Sequence, residues 1–151
     1  MRTTLFDLRL LVAAAILAAL AMAKSDVAAQ PAPKLDFAFF KNRVEPIFVT
    51  KRPGYARCTV CHVESNNGFR LEKLPPNAQT WSEVQSRRNF EMAAKLVNLG
   101  DPQTSRLLLH PLAPEDGGDV FHSGGRQFLS KQDPAWRILA EWVNGATLGS
   151  P

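Results

Sequence analysis

Both cysteines of this chain lie in one pentapeptide, CTVCH, at residues 58–62. Two residues separate Cys58 from Cys61, and His62 follows the second cysteine directly. Residues three and four apart share one face of a helix, so a single helical turn would point all three side chains the same way. This spacing is compatible with covalent haem attachment, zinc coordination or dithiol exchange. These chemistries need different compartments or different surroundings, so the rest of the sequence helps to distinguish them.

The first thirty residues are typical of an export signal. A basic start precedes an apolar run at residues 10–22, which is short for a membrane span, and small residues follow at possible cleavage sites. We therefore predict a signal peptide at residues 1–29, cleaved after Ala23 or Ala29. An uncleaved membrane anchor is the alternative. The prediction makes the mature protein periplasmic or otherwise exported, with membrane contact that is transient or made through an uncleaved signal.

The remaining residues, 30–151, are enough for one domain with a single modest core. Loss of the signal removes three basic and two acidic side chains, so the formal charge falls from +4 to +3. These charges are scattered along the chain, whereas a surface that binds nucleic acid needs a basic stripe. We therefore expect no nucleic-acid partner. The weak positive charge is compatible with docking to an acidic redox protein.

A disulfide or a redox-active dithiol explains the cysteine pair poorly. A structural disulfide between Cys58 and Cys61 would close a very short loop, so its stabilising effect is small. A thioredoxin-like dithiol needs a strand before the first cysteine. The preceding residues, KRPGYAR, are instead typical of a turn, and no alternating β-branched run lies nearby.

Zinc coordination is the second alternative. Cys58, Cys61 and two of His62, His110 and His122 supply enough ligands. Structural zinc sites usually take their second ligand pair from two closely spaced residues, however, and His110 and His122 lie twelve residues apart. The spacing therefore disfavours zinc.

The haem interpretation uses all three residues of the motif. The two thiols add across the vinyl groups of haem, and the side chain that follows them binds the iron. Cys58 and Cys61 are then the thioether anchors and His62 is the proximal ligand. This attachment takes place after export, in agreement with the predicted signal peptide. We predict one covalently bound haem c.

Helical signals recur through the mature chain, and no segment has the pattern of a strand, which predicts an all-α domain. Each helical segment has local start or stop signals. In residues 36–48, Asp36 is a possible cap and Pro46 predicts a kink or an early stop. Residues 80–100 have a capping box from Thr80 to Glu83 and a predicted helix end at Gly100, and residues 101–110 begin with Asp101 and Pro102. The last helix, 133–145, has Asp133 and Pro134 at its start and Gly145 at its end.

The chain resembles a known family over residues 37–144, the monohaem c-type cytochromes of the planctomycete and acidobacterial type. The motifs that carry the resemblance are RVEPIF, CTVCH, GDPQTSRLLLHPL, GGDVFHSGG and PAWRILAEWV. The resemblance implies a class I cytochrome c-like fold that wraps one haem, with the first and last helices crossing beside it. In this sequence that crossing would bring Phe40, Val44 and Phe48 against Trp136, Leu139 and Val143.

The distal ligand differs from the methionine of the best-known cytochromes c. In the position before the last helix this chain has His122, between Gly117-Gly118 and Gly124-Gly125. These glycines allow the backbone to bend sharply and approach a flat ring. We predict His122 as the distal ligand. The alternatives are His110, Met92, which lies inside a predicted helix, and an open or water-bound position; His110 is otherwise interpreted as a cap at a helix end.

The predicted function is single-electron transfer between protein redox partners, without catalysis of a substrate reaction. One alternative is a haem enzyme or gas sensor with an open sixth position. Another is a haem subunit of a larger redox complex. Arg70, Arg126 and Lys131 are candidates for pairing with the haem propionates, although a solvated surface position is the usual role of such residues.

Overall fold

The first helix, α1, begins after Asp36, as the sequence predicts. The Asp36 carboxylate accepts a hydrogen bond of 2.6 Å from the backbone N–H of Phe39, and this satisfies a donor that has no partner inside the helix. The structure is a computed structural model and describes residues 33–64 and 66–149. The predicted signal peptide, residues 1–29, lies outside the described residues.

A π-helical turn lies in the middle of α1, just before Pro46. The helix runs through Phe37–Phe39, a π-helical Phe40–Val44 and Glu45–Val49, and the backbone N–H of Glu45 donates to the carbonyl of Phe40. A proline lacks the N–H of a regular turn and its ring crowds the carbonyl four residues earlier. Here the distortion is taken up by the π turn, and the helix continues to Val49. Of the two effects predicted for Pro46, a kink or an early stop, the early stop is wrong.

The second helix, α2, is the single turn Cys58–His62, and the third, α3, is Glu83–Ala94. The capping box of α3 pairs Ser82 with Gln85 rather than Thr80 with Glu83. Trp81 explains the shift, because it is buried and its Nε1 donates to the carbonyl of Glu72 at 2.7 Å. This contact holds the chain in a non-helical path until Ser82.

The predicted end of α3 at Gly100 is also wrong. The helix ends at Ala94, and Gly100 belongs to a later turn, with φ of 78°. Its N–H donates to the carbonyl of Val143 at 2.9 Å, so this turn is tied to the end of the last helix.

The fourth helix, α4, is the short segment Arg106–Leu109, which starts later than the sequence predicts. Asp101 caps a turn instead of a helix, since its carboxylate accepts hydrogen bonds from the Gln103 N–H at 3.0 Å and the Thr104 hydroxyl at 2.8 Å. The buried Ser105 hydroxyl then donates to the carbonyl of Asp101 at 2.8 Å. These side-chain bonds compete with helical bonds over residues 101–105.

The last helix, α5, is Pro134–Val143, and the sequence predicts both of its ends. The Asp133 carboxylate accepts from the Ala135 N–H at 2.9 Å, and Gly145 follows with φ of 88°. Trp142 is an additional core residue of α5 that the predicted apolar face omits. It is fully buried, its Nε1 donates to the carbonyl of Asp36 at 3.0 Å, and its ring centroid lies 5.1 Å from that of Phe40.

Residues 33–64 and 66–149 contain five helices, one 3₁₀ turn at Pro114–Asp116 and no strand beyond a single bridge between Leu112 and Phe128. The prediction of an all-α domain is confirmed for this part of the chain. Helices α1 and α5 contact each other, and α2 packs on the second half of α1.

No helix among these residues is long and apolar enough to cross a membrane. The predicted core residues are buried in one cluster: Phe40, Val44, Phe48, Trp136, Leu139 and Val143.

A buried carboxyl group joins α1 to α3. Glu45 is only 5% exposed, and its side chain accepts a hydrogen bond of 2.8 Å from the Ser86 hydroxyl and one of 3.5 Å from the Asn89 amide. Burial raises the pKa of the Glu45 carboxyl, and these two hydrogen bonds and the nearby Lys41 charge partly oppose that rise.

Candidate functional site

A cavity of about 400 Å³ lies beside the CTVCH turn and opens to the surface. Its size is within the range of small-molecule and cofactor sites. All five cysteine and histidine side chains that the sequence singles out line it: Cys58, Cys61, His62, His110 and His122. Its apolar wall is formed by Ile47, Phe48, Leu96, Leu107, Phe128 and Leu139.

The two cysteines lie on the α2 wall of the cavity as free, half-buried thiols. The segment before α2 is a turn, so the chain enters the motif without a strand. Burial raises the pKa of the Cys58 thiol to about 11, with a smaller opposing contribution from the Arg52 charge. A redox-active dithiol needs a thiolate at neutral pH, and Cys58 stays protonated there. These features disfavour the dithiol alternative.

His62 is held by the loop that follows α2. Its Nδ1 lies 2.6 Å from the Phe69 carbonyl and 3.0 Å from Oδ1 of Asn67, and the Phe69 ring lies against it at 4.8 Å. Both oxygens are acceptors, so Nδ1 carries the proton and Nε2 carries the lone pair. A hydrogen bond of this kind on the other ring nitrogen is typical of histidines that bind metals.

His122 lies in a glycine-rich loop whose path requires at least two of its glycines. A Cβ on Gly118 would lie 2.0 Å from the carbonyl oxygen of Leu112, closer than any side chain allows. Gly125 has φ of 79°, in the left-handed region that other residues rarely adopt. A Cβ on Gly124 would lie 3.3 Å from Cε1 of His122, so the loop also packs tightly around the imidazole. The sequence prediction that these glycines allow a close approach to a ring is consistent with this geometry.

The imidazoles of His62 and His122 face each other across the cavity. Nδ1 of His122 lies 2.6 Å from the carbonyl oxygen of Gly125, so this ring also keeps its lone pair on Nε2. Burial lowers the pKa of His122, and the Gly125 hydrogen bond partly opposes that shift. A neutral imidazole is the form that binds a metal.

The spacing of the two rings fits a single metal ion between them. Their centroids lie 6.2 Å apart and their planes differ by 18°. An imidazole nitrogen binds a metal at about 2 Å, so two rings that bind one ion from opposite sides have centroids about 6 Å apart. The centroid distance between His62 and His122 therefore agrees with that of two imidazoles that would hold one metal ion.

The other two candidates for the distal ligand lie in different surroundings. His110 follows α4 and its ring contacts that of His122, with centroids 4.9 Å apart. His110 is the C-cap residue of α4, at the helix end that the sequence interpretation gives it, and its Nδ1 pairs with the Asp119 carboxylate at 2.6 Å. Met92 lines a separate pocket with Arg70 and Lys95 and does not line the cavity of Cys58.

The cationic side chains at the cavity differ from those that sequence reasoning selects. Arg57 and Arg106 line it, whereas Arg70, Arg126 and Lys131 do not. Local sequence signals for both residues exist, since Arg57 directly precedes Cys58, and Arg106 lies one helical turn before His110. Gln127 also lines the cavity, is buried, and was not predicted.

The donor set suits haem attached through two thioethers. Two half-buried thiols and two imidazoles with Nε2 lone pairs meet at a cavity whose wall is largely apolar. In the described part of the chain, no group of three or more histidine, cysteine, aspartate and glutamate side chains is arranged to hold a metal ion. A haem iron takes at most two ligands from the protein, so the haem prediction does not require such a group.

The chain matches no protein-family model, no curated protein and no solved structure.

Proposed function

We propose that this protein is an exported monohaem c-type cytochrome that carries single electrons between protein redox partners. The observation that carries the proposal is the convergence of Cys58, Cys61 and His62 with His122 on one largely apolar cavity. The sequence signal for export supports it, because haem attachment through two thioethers takes place outside the cytoplasm.

Each residue of the set has a defined role in this proposal. The Cys58 and Cys61 thiols bind the haem covalently, His62 is the proximal ligand and His122 is the distal ligand. When bound, the haem iron accepts and releases one electron. The hydrogen bonds from Nδ1 of each histidine hold the two rings in place, so neither ligand needs to rearrange during electron transfer.

One proximal and one distal imidazole together favour an electron carrier over a haem enzyme or gas sensor. A substrate or gas must displace one ligand before it reaches the iron, and this makes catalysis at the iron unfavourable. The surrounding apolar wall lowers the local dielectric and so adjusts the reduction potential. The proposal assigns no catalytic residue. The redox partners are other proteins. The same haem ligands would serve if this chain were a subunit of a larger redox complex.

A class I cytochrome c-like fold is part of the proposal. It is supported by the contact between the first and last helices and by the Phe40–Trp142 packing between them. The CTVCH turn is the next helix after α1, and His122 precedes α5, in agreement with the chain order that the resemblance implies.

Haem retention after denaturation tests the proposal. The full chain is produced with its signal in a host that exports it and attaches haem, and is then extracted with acidified organic solvent. We expect haem to stay on the polypeptide of the wild type and to be absent from the Cys58→Ala/Cys61→Ala variant, since thioether bonds survive extraction and coordination bonds do not.

The same extraction is applied to a control variant, and two results would contradict the proposal. His110→Ala removes a cavity residue that is not an anchor, and its haem should remain covalently attached. Extractable haem in the wild type contradicts the thioether anchors. A protein that contains zinc and no iron contradicts the whole proposal.

A further inference from the structure

His110 is the third imidazole of the cavity, and its ring is fixed by a carboxylate. Nδ1 of His110 lies 2.6 Å from Oδ2 of Asp119. Asp119 is itself anchored, because its backbone N–H donates to the carbonyl of Leu109 at 3.0 Å, at the end of α4. Asp119 belongs to the glycine-rich loop and His110 directly follows α4, so this pair of side chains joins the loop to the end of α4.

This unit contacts His122 from the side. The rings of His110 and His122 lie 4.9 Å apart at 77°, an edge-to-face arrangement. The Gly125 carbonyl and the close approach of Gly124 also restrain the His122 ring, but both belong to its own loop. Contacts within one loop do not fix the His122 ring relative to the rest of the domain. The His110 ring supplies a contact with the helical part of the fold.

We propose that Asp119 and His110 are positioning residues that hold the His122 imidazole in the orientation of a distal ligand. The inference rests on the proposed function, in which His122 binds the haem iron. His110 does not bind the iron in this arrangement. Asp119 holds the His110 ring, and the contact between the two rings limits rotation of His122 away from the cavity.

Carbon monoxide binding to the reduced holoprotein measures how firmly His122 is held. Carbon monoxide must displace the distal ligand, so its binding rate reports the dissociation of His122. We expect His110→Ala and Asp119→Ala to accelerate binding about tenfold, the scale of effects for residues that orient a metal ligand. Asp119→Asn keeps an oxygen acceptor for the Nδ1–H of His110 and should restore a rate near that of the wild type.

Electron paramagnetic resonance of the oxidised proteins gives a second measurement. His110→Ala and Asp119→Ala should remain low-spin, with g values that differ from those of the wild type because the His122 ring has a different orientation. Val120→Ala is the matched control, since Val120 lies in the same loop and is 83% exposed. It should retain the wild-type rate and spectrum.

Three results would overturn the inference. The first is wild-type rates and g values in both His110→Ala and Asp119→Ala. The second is a high-spin iron in His110→Ala, which would make His110 the ligand. The third is an equal acceleration in Val120→Ala, which would indicate general loosening of the loop. In all three cases the haem remains covalently attached after denaturation, whereas failure of the proposed function appears as haem that can be extracted.

Discussion

At the scale of single residues, the proposed distal ligand, His122, would determine what reaches the haem iron. His122→Ala removes the imidazole that faces His62, whose centroid lies 6.2 Å away. We expect the oxidised iron to change from low spin to high spin and the reduced iron to bind carbon monoxide without a displacement step. Absorption and electron paramagnetic resonance spectra of the purified holoprotein measure both changes.

Two other substitutions are the controls for this prediction. Met92→Ala alters a residue that lines a separate pocket, and His110→Ala alters a neighbour of the ligand, so both should stay low-spin. If low spin survives in His122→Ala and is lost in His110→Ala, the distal ligand is His110. Loss only in Met92→Ala contradicts ligation by two histidines.

The residues of the site were predictable to different degrees from sequence. Cys58, Cys61 and His62 form one helical turn, so their common direction follows from local spacing alone. The contribution of Arg57 and Arg106 to the cavity depends on how α2 and α4 pack on different partners, α1 and α5. No local pattern records that packing, and sequence reasoning therefore selected cations nearer to other motifs.

At the scale of elements, the buried Glu45 makes the α1–α3 contact depend on pH. Burial raises the pKa of its carboxyl in the folded state. The stability that this group contributes is therefore fully present below its unfolded pKa and is lost as pH rises through the folded pKa. Between about pH 4 and pH 7, the free energy of unfolding of the wild type should fall relative to that of Glu45→Gln, which keeps the shape and cannot ionise. Urea unfolding of both holoproteins at the two pH values measures this difference.

Glu83→Gln is the matched control on α3. The Arg87 side chain hydrogen-bonds the exposed Glu83 carboxylate and lowers its pKa. The contribution of Glu83 is present above its unfolded pKa and is lost as pH falls, so the pH trend relative to Gln has the opposite sign. A Glu45→Gln trend that is flat, or that runs in the same direction as that of Glu83→Gln, contradicts the assignment of Glu45.

The helix boundaries show where local signals were sufficient. Both ends of α5 follow from Asp133, Pro134 and Gly145, each of which acts on its own neighbours. The start of α3 depends on the bond between Trp81 and the Glu72 carbonyl, nine residues away. The early part of the segment predicted as α4 is replaced by side-chain bonds around Asp101. Contacts between distant or competing groups decided the boundaries that were predicted incorrectly.

At the scale of the whole molecule, the cavity is part of the core. Its wall includes Phe48, Leu107, Phe128 and Leu139, all of which are buried. A closed void of about 400 Å³ would cost about 10 kcal/mol at about 24 cal/mol per Å³, which is comparable with the whole stability of a small domain. Water entering through the open mouth lowers that cost, but the apolar side chains of the wall would then be exposed to water. We therefore expect protein without haem to lose most of its helix.

Circular dichroism tests this expectation. The chain made without haem attachment, or as Cys58→Ala/Cys61→Ala, should show a weak helical signal and no cooperative thermal transition, whereas the holoprotein should show both. The two preparations need equal concentrations and the same signal cleavage. An apoprotein as helical as the holoprotein, with a sharp melting transition, contradicts a core that depends on haem.

The π-helical turn of α1 determines which way the side chains after it point relative to those before it. At the start of this turn Phe40 packs against Trp142 on α5, and after the turn Ile47 and Phe48 line the cavity. Each residue of a helix advances the side chains by about 100°, so one residue fewer in Phe40–Val44 would turn the second half of α1 by that angle. Ile47 and Phe48 would then leave the cavity wall while Phe40 kept its place. The length of this segment is consequently under tighter constraint than the identity of exposed residues in it such as Asn42, and α1 tolerates substitution there better than deletion.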